Sequence, residues 1–296
     1  MDEHQGRPPD INPIFTHMTR ALSTHLFANH RLTTVWLDRI WNAEIPLVEI
    51  FCARQHLDYR DKGQISELGH WFRDSKLKMH SLHSPMYTDH LWGRSGPNSI
   101  ISITEAGKSK RLDMVDEIKR AIEIAEVVPF RYLVQHLGVE GEEYDERKID
   151  YAFTALEEIN LFARQRGVEV LLENTPNELA NADRLLMFLD VTHLPLNVCF
   201  DVGHAHMRGS IENEYRLLKP RIRSTHVHDN DGVDDSHLFP NRGTIDWTAT
   251  MNLLRSAPGQ YPLALELREV DEMEHPVESA RAAFEFLEGL RSPHES

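Results

Sequence analysis

Short apolar runs of strand-like composition alternate with stretches of helical periodicity about eight times along the chain. Units of this kind imply a parallel sheet, because each strand is followed by a helix before the next strand begins. The strands are predicted within Ala21–Leu32, then at Pro46–Phe51, Leu77–His83, Arg131–His136, Val168–Leu172, Leu196–Phe200, Ile222–Val227 and Leu263–Leu267. Helices are predicted at Thr33–Asn42, Gln64–Asp74, Leu112–Val127, Ile149–Gln165, Ala182–Leu189, Glu212–Leu218, Trp247–Arg255 and Val277–Leu290. An open doubly wound sheet would give the same alternation, but it would gather its polar residues at one switch point. Here polar residues end strands three to eight. The expected fold is therefore a single-domain (β/α)8 barrel over residues 21–290, whose strand ends meet at one mouth. Residues 1–20 are expected to form a loose arm and 291–296 a tail.

The chain has 296 residues, a size normal for one such barrel and large enough for a core without disulfides. Its two cysteines, Cys52 and Cys199, fall in predicted strands and read as buried thiols. The formal net charge is -15, from 47 acidic and 32 basic residues. Such a surface repels phosphate backbones, which argues against a nucleic-acid partner. No run approaches the roughly 20 apolar residues of a membrane span. Met1 to Pro13 is polar and lacks an apolar signal core, so a cytoplasmic location is the default expectation.

Nine residues at or beyond strand ends could ligate a metal: His83, His136, Glu173, Asp201, His204, His226, Asp235, His237 and Glu266. Imidazole and carboxylate donors suit Zn²⁺, Mn²⁺ or Fe²⁺. Glu173 and Glu266 are each a lone acid in an apolar run, so each must be metal-bound, paired or protonated. Asp201 and His204 form an Asp-x-x-His pair on an expected strand-to-loop turn, with Gly203 bending the backbone between them. His206 reads as a supporting or structural residue. His226 and His228 alternate on one strand and point the same way, with Asp229 facing the helices. His228 is a candidate for substrate contact or packing. His80, at an odd spacing from His83, is expected to face away from it. Asp235 and His237 lie in a loop that could equally be a solvated acidic segment. The long connection after His83, with Trp92, Gly93, Gly96 and Pro97, is a candidate flap over the mouth. His4, His17 and His275 look like surface positions.

The ordered series Leu-Glu173-Asn-Thr, Phe-Asp201-Val-Gly-His204, His226-Val-His-Asp229, Asp235-Ser-His237 and Glu266 resembles the superfamily of xylose-isomerase-like barrels. That group includes sugar isomerases and epimerases and the endonuclease IV family, and the resemblance runs from about Ala21 to Leu290. It implies that Glu173, Asp201, His226 and Glu266 hold one divalent metal, with the two glutamates as the acid/base pair and His204 on the sugar. It equally implies, from endonuclease IV, that all nine residues could hold three zinc ions. Many relatives carry Pro-Gly-x-Gly where this chain has Pro240-Asn241-Arg242-Gly243. Asn241 can take the left-handed backbone position, and Arg242 could meet a substrate carboxylate or phosphate, or pair with the acidic loop.

Three functions follow. The first is metal-dependent isomerisation or epimerisation of a sugar-like polyol or keto substrate through an enediolate, or a lyase or dehydratase starting from the same proton abstraction. The second is phosphodiester hydrolysis, and the third is binding without turnover. The expected cofactor is Mn, Zn, Mg, Fe or Co. One tightly bound ion is favoured over two or three, with His83, His136, His204 and His237 left for substrate or weaker ions. The expected partner is a small carbohydrate, and the oligomeric state is left open.

Overall fold

In the computed structural model, which describes residues 18–257, 259–270 and 273–290, eight parallel strands form one sheet that curls into a barrel. The expected arm lies, except for its last three residues, outside the described segments, as do His4, His17 and the tail. The strands are β1 (Arg20–Ser23), β2 (Leu47–Phe51), β3 (Lys78–His83), β4 (Tyr132–His136), β5 (Glu169–Glu173), β6 (Asn197–Asp201), β7 (Ile222–His226) and β8 (Leu263–Leu265). Their order is β7-β6-β5-β4-β3-β2-β1-β8. Just beyond β7, Val227 N donates to Ala264 O at 2.8 Å and Glu266 N donates back to Val227 O at 3.2 Å, which nearly closes the ring.

The strands read as continuous apolar runs because both of their faces are buried. Their outward residues, such as Val170, Leu172, Val198 and Phe200, pack under the helices in the main core. Inward residues Tyr132, Val134, Leu171 and Cys199 form a separate plug inside the barrel. Two residues further along the same strands come His136, Glu173 and Asp201. The period of two that builds the plug thus lifts these side chains above it, into the mouth. Register then brings them level: His136 pairs with Glu173, and Asp201 with His226.

The helices are α1 (Thr34–Asn42), α2 (Lys62–Asp74), α3 (Lys108–Ile122), α4 (Glu146–Arg164), α5 (Ala182–Thr192), α6 (Val202–Met207), α7 (Ile211–Leu218), α8 (Trp247–Leu254) and α9 (Pro276–Gly289). Asp61, Asp145, Asn181, Ser210 and Asp246 cap α2, α4, α5, α7 and α8 with side-chain oxygens, satisfying amides that have no partner within the helix. Arg20 at the start of β1 makes a 2.6 Å ion pair with Glu288, tying the first strand to α9. Both cysteines are buried, and burial pushes their thiols up. No helix among the described residues is long and apolar enough to cross a membrane.

Three local expectations are corrected. The first strand ends at Ser23, and Thr24–Phe27 is a 3-10 helix that turns His25 into the mouth. The Asp201–His204 segment is not a loop: Asp201 caps α6, its Oδ1 accepting from His204 N at 2.6 Å. A bulge at Val48/Glu49 shifts the β2–β3 register, so His80 does not face away. Its ring meets Tyr132 of the inner plug edge-on at 5.1 Å.

Candidate metal centre and cavity

The β5, β6, β7 and β8 strand ends deliver Glu173, Asp201, His226 and Glu266 to one point, all of them 3 % exposed or less. The His226 Nδ1 atom lies 3.0 Å from Glu173 Oε1, 3.0 Å from Glu266 Oε2 and 3.9 Å from Asp201 Oδ2. A second set shares Glu173: its Oε2 is 3.1 Å from His136 Nε2 and 3.6 Å from His83 Nε2. A third set surrounds Asp235, whose Oδ2 is 3.2 Å from His204 Nε2 and 3.1 Å from His237 Nε2. His228 joins it, with Nε2 3.7 Å from Asp235 Oδ1 and 3.2 Å from Asp201 Oδ2. Within each set the donor atoms lie within 4.8 Å of one another.

Backbone carbonyls orient three of these imidazoles. His83, His204 and His237 each donate Nδ1–H to a main-chain oxygen, of Ser84 at 3.0 Å, Asn174 at 2.9 Å and Glu266 at 3.0 Å. That fixes each ring with its Nε2 aimed at the donor set, where it is a ligand atom once it gives up its proton. His226 is turned the other way: its Nε2 faces Glu49 Oε1 at 2.9 Å.

Charge explains the pKa pattern. Burial would raise the carboxyls of Glu173 and Glu266, but His226, with His136 or His237, outweighs it and holds both well below the carboxylate range. Asp235 is likewise held far down by His204 and His237 against its burial. Burial pushes His226 down, while Cys199, Glu266, Glu49 and Glu173 raise it well above its ordinary value.

The donor set fits a divalent cation. A single proton on Nδ1 cannot satisfy two carboxylate oxygens at 3.0 Å together. Asp235 Oδ1 is buried and has no hydrogen-bond partner. Such atoms are expensive to bury unless something coordinates them. Mixed imidazole and carboxylate donors are those of Zn²⁺, Mn²⁺ or Fe²⁺ sites.

All nine residues singled out from the sequence therefore converge, and His228 with them. Arg242 does not: it is exposed on the loop and is absent from the cavity lining. Asn241 takes the left-handed conformation expected of it, at φ 68°. His206 bonds Thr244 Oγ1 at 2.8 Å, a structural role. Asp229 faces the helices, accepting from Trp247 Nε1 at 2.8 Å. His275 precedes α9 at its N-terminus.

Above the donors lies a cavity of about 580 Å³. The connection after β3 covers it: Trp92 packs on Phe51 at 5.0 Å and on His25 at 5.6 Å between ring centroids. His25 donates Nδ1–H to Leu267 O at 3.0 Å, and its other ring nitrogen is free for the cavity. Arg268, just beyond Glu266, also lines it. Sequence reasoning missed His25, Arg268 and Glu49. His25 fell inside the window Ala21–Leu32, within which the first strand was expected, and was not singled out. Glu49 carried the signal used for Glu173, a lone acid in the apolar run Leu-Val-Glu-Ile-Phe.

A family model described as a xylose isomerase-like TIM barrel matches residues 38–290. An uncharacterised protein of Methanocaldococcus jannaschii, MJ1614, is 23 % identical over 207 residues, covering 68 % of this chain and 78 % of its own. The solved structure of a D-tagatose 3-epimerase-like protein superimposes with a TM-score of 0.72 at 23 % identity, over 92 % of this chain and 97 % of that one. The IOLI protein, solved with a bound zinc atom, gives a TM-score of 0.72 at 15 % identity, over 91 % and 96 % of the two chains. At these identities the structural likeness concerns the fold.

Proposed function

Because this chain belongs to the family of xylose isomerase-like TIM barrels, we propose that it is a divalent-cation-dependent isomerase or epimerase of a sugar or sugar-like keto or polyol substrate. The observation that carries this reading is the placement of Glu173 and Glu266, each 3.0 Å from the same His226 nitrogen. Glu173, Asp201, His226 and Glu266 would hold the cation, which when bound supplies Lewis-acid polarisation of substrate oxygens. Glu173 and Glu266 arrive from β5 and β8, on either side of His226. Both are held ionised, the state in which a carboxylate can take a proton from a carbon next to a carbonyl. One removes the proton and the other returns it. His83, His136, His204 and His237 line the cavity, where their imidazoles can hold substrate hydroxyls. Phe51 and Trp92 form an apolar wall, and together with the covering segment they keep water from the reacting carbon. Arg268 is the only lysine or arginine among the described lining residues, and takes the role foreseen for Arg242, meeting an anionic substituent.

The test is solvent deuterium exchange into a panel of ketoses and their phosphates. Glu173→Gln and Glu266→Gln each abolish exchange while circular dichroism stays unchanged. Full exchange in either variant removes that residue from proton transfer.

Phosphodiester hydrolysis is favoured by one observation, the three donor sets around Glu173 and Asp235. The covered cavity, its single guanidinium and the net charge of -15 weigh against an extended polyanion. No micromolar binding or cleavage of abasic duplex DNA is expected at physiological salt, and cleavage would reverse the ranking.

A further inference from the structure

Glu49 is a fully buried carboxylate that belongs to none of the three donor sets. It lies on β2, on the far side of the His226 ring from Glu173 and Glu266. Its Oε1 is 2.9 Å from His226 Nε2, and its Oε2 accepts from Ser81 Oγ at 2.7 Å. Ser81 is opposite Glu49 because the bulge at Val48/Glu49 shifts the register by one residue. Without that shift His80 would take its place. The carboxylate is thus held by a hydroxyl on one oxygen and offers the other to the imidazole.

An imidazole that donates through one nitrogen presents the other as a bare ligand atom. For His83, His204 and His237 the acceptor is a main-chain carbonyl, which no side-chain substitution removes. His226 has its ring reversed, and its acceptor is a side chain. We propose that Glu49 is the positioning residue of the metal centre: by accepting Nε2–H it fixes His226 in the tautomer whose Nδ1 faces Glu173, Asp201 and Glu266. A carboxylate in this place also raises the basicity of the ligand nitrogen. Glu49 is absent from the cavity lining and acts through His226. The inference rests on the cation-binding reading of that four-residue set.

The experiment measures Zn²⁺ affinity of the purified full chain by competition with a chromophoric chelator. The variants are Glu49→Leu, which removes the acceptor, and Glu49→Gln, which keeps an acceptor oxygen toward His226. Glu49→Leu weakens Zn²⁺ binding roughly 10–100-fold, the usual effect of losing such a partner. Glu49→Gln stays within a few-fold of the unaltered protein. Equal affinity in Glu49→Leu and the unaltered protein overturns the proposal, as does an equal loss in both variants. Should Glu49→Leu fail to fold, long-range ¹H–¹⁵N NMR of histidine-labelled, Zn²⁺-loaded protein decides. A proton on His226 Nε2 upholds the proposal, and a proton on Nδ1 overturns it. Failure of the unaltered protein to bind stoichiometric Zn²⁺ would instead sink the cation reading itself.

Discussion

Replacing Gly203 by alanine sets two physical effects against each other. Gly203 lies in α6, where alanine is favoured over glycine by about 1 kcal/mol. Yet a Cβ at this position would sit 2.0 Å from His228 Cε1 and 2.5 Å from both ring nitrogens. The ring cannot retreat easily, because it is stacked on His237 at 4.0 Å and fully buried. Forcing an extra methyl into a packed site costs about 1–3 kcal/mol. Displacing His228 also breaks its 3.2 Å contact with Asp201 Oδ2. A hydrogen bond to a charged group contributes about 1.5–3 kcal/mol. After the helix-propensity gain is subtracted, the net loss centres on about 3 kcal/mol. With an unfolding entropy of about 2.1 cal/mol/K per residue, that lowers Tm by about 5 °C for a chain of 296 residues. The assay is thermal unfolding in the presence of a chelator, followed by Zn²⁺ titration of the native variant. A variant as stable as the unaltered protein, or more so, would show that helix propensity dominates and that the close approach of Gly203 to His228 does not matter.

Two further perturbations probe the frame around the site. Asp229→Ala leaves Trp247 Nε1, Asn230 N and Ile245 N without their acceptor, and should cost roughly 2–4 kcal/mol by urea unfolding, with a shift in Trp247 fluorescence; an unchanged urea midpoint would contradict this. Glu117 accepts from Tyr59 and from Arg60; burial would raise its carboxyl, but the Arg60 and Tyr59 hydrogen bonds outweigh it and hold the pKa below the ordinary 4.5. A depressed carboxyl stabilises the fold above its unfolded-state pKa and loses that contribution as pH falls through the folded value. The stability gap between the unaltered protein and Glu117→Gln should therefore be constant from pH 7 to about 5.5 and shrink below about 4.5; a gap that widens on acidification would refute the sign.

The barrel was legible because its strands are buried on both faces and its helices on one, so each kind of element carries its own period. The candidate site was legible for the same reason. Glu173 and Glu266 break apolar runs, and a buried carboxylate needs a partner. What escaped depends on three-dimensional register. Nothing local shows where within Ala21–Leu32 the first strand stops, so His25 could not be assigned to the mouth. The β2–β3 bulge that seats Glu49 against Ser81 and turns His80 inward leaves no mark in a single sequence. Gly203 looked like a flexible turn residue. It is helical, and its lack of a side chain serves the close packing of His228. Arg242 and Arg268 are both near candidate ligands in sequence, and only the direction of the chain beyond β8 shows which one lines the cavity.

Glu173, Asp201, His226 and Glu266 are expected to bind one divalent cation more tightly than any other donor set among the described residues. Anomalous diffraction at the metal edge, from crystals grown with one equivalent of Zn²⁺ or Mn²⁺, tests it directly. A strong peak is expected about 2.0–2.3 Å from His226 Nδ1 and from an oxygen of each of the three carboxylates. A site empty there, with the ion instead among His204, His228, Asp235 and His237 or between His83 and His136, would contradict it.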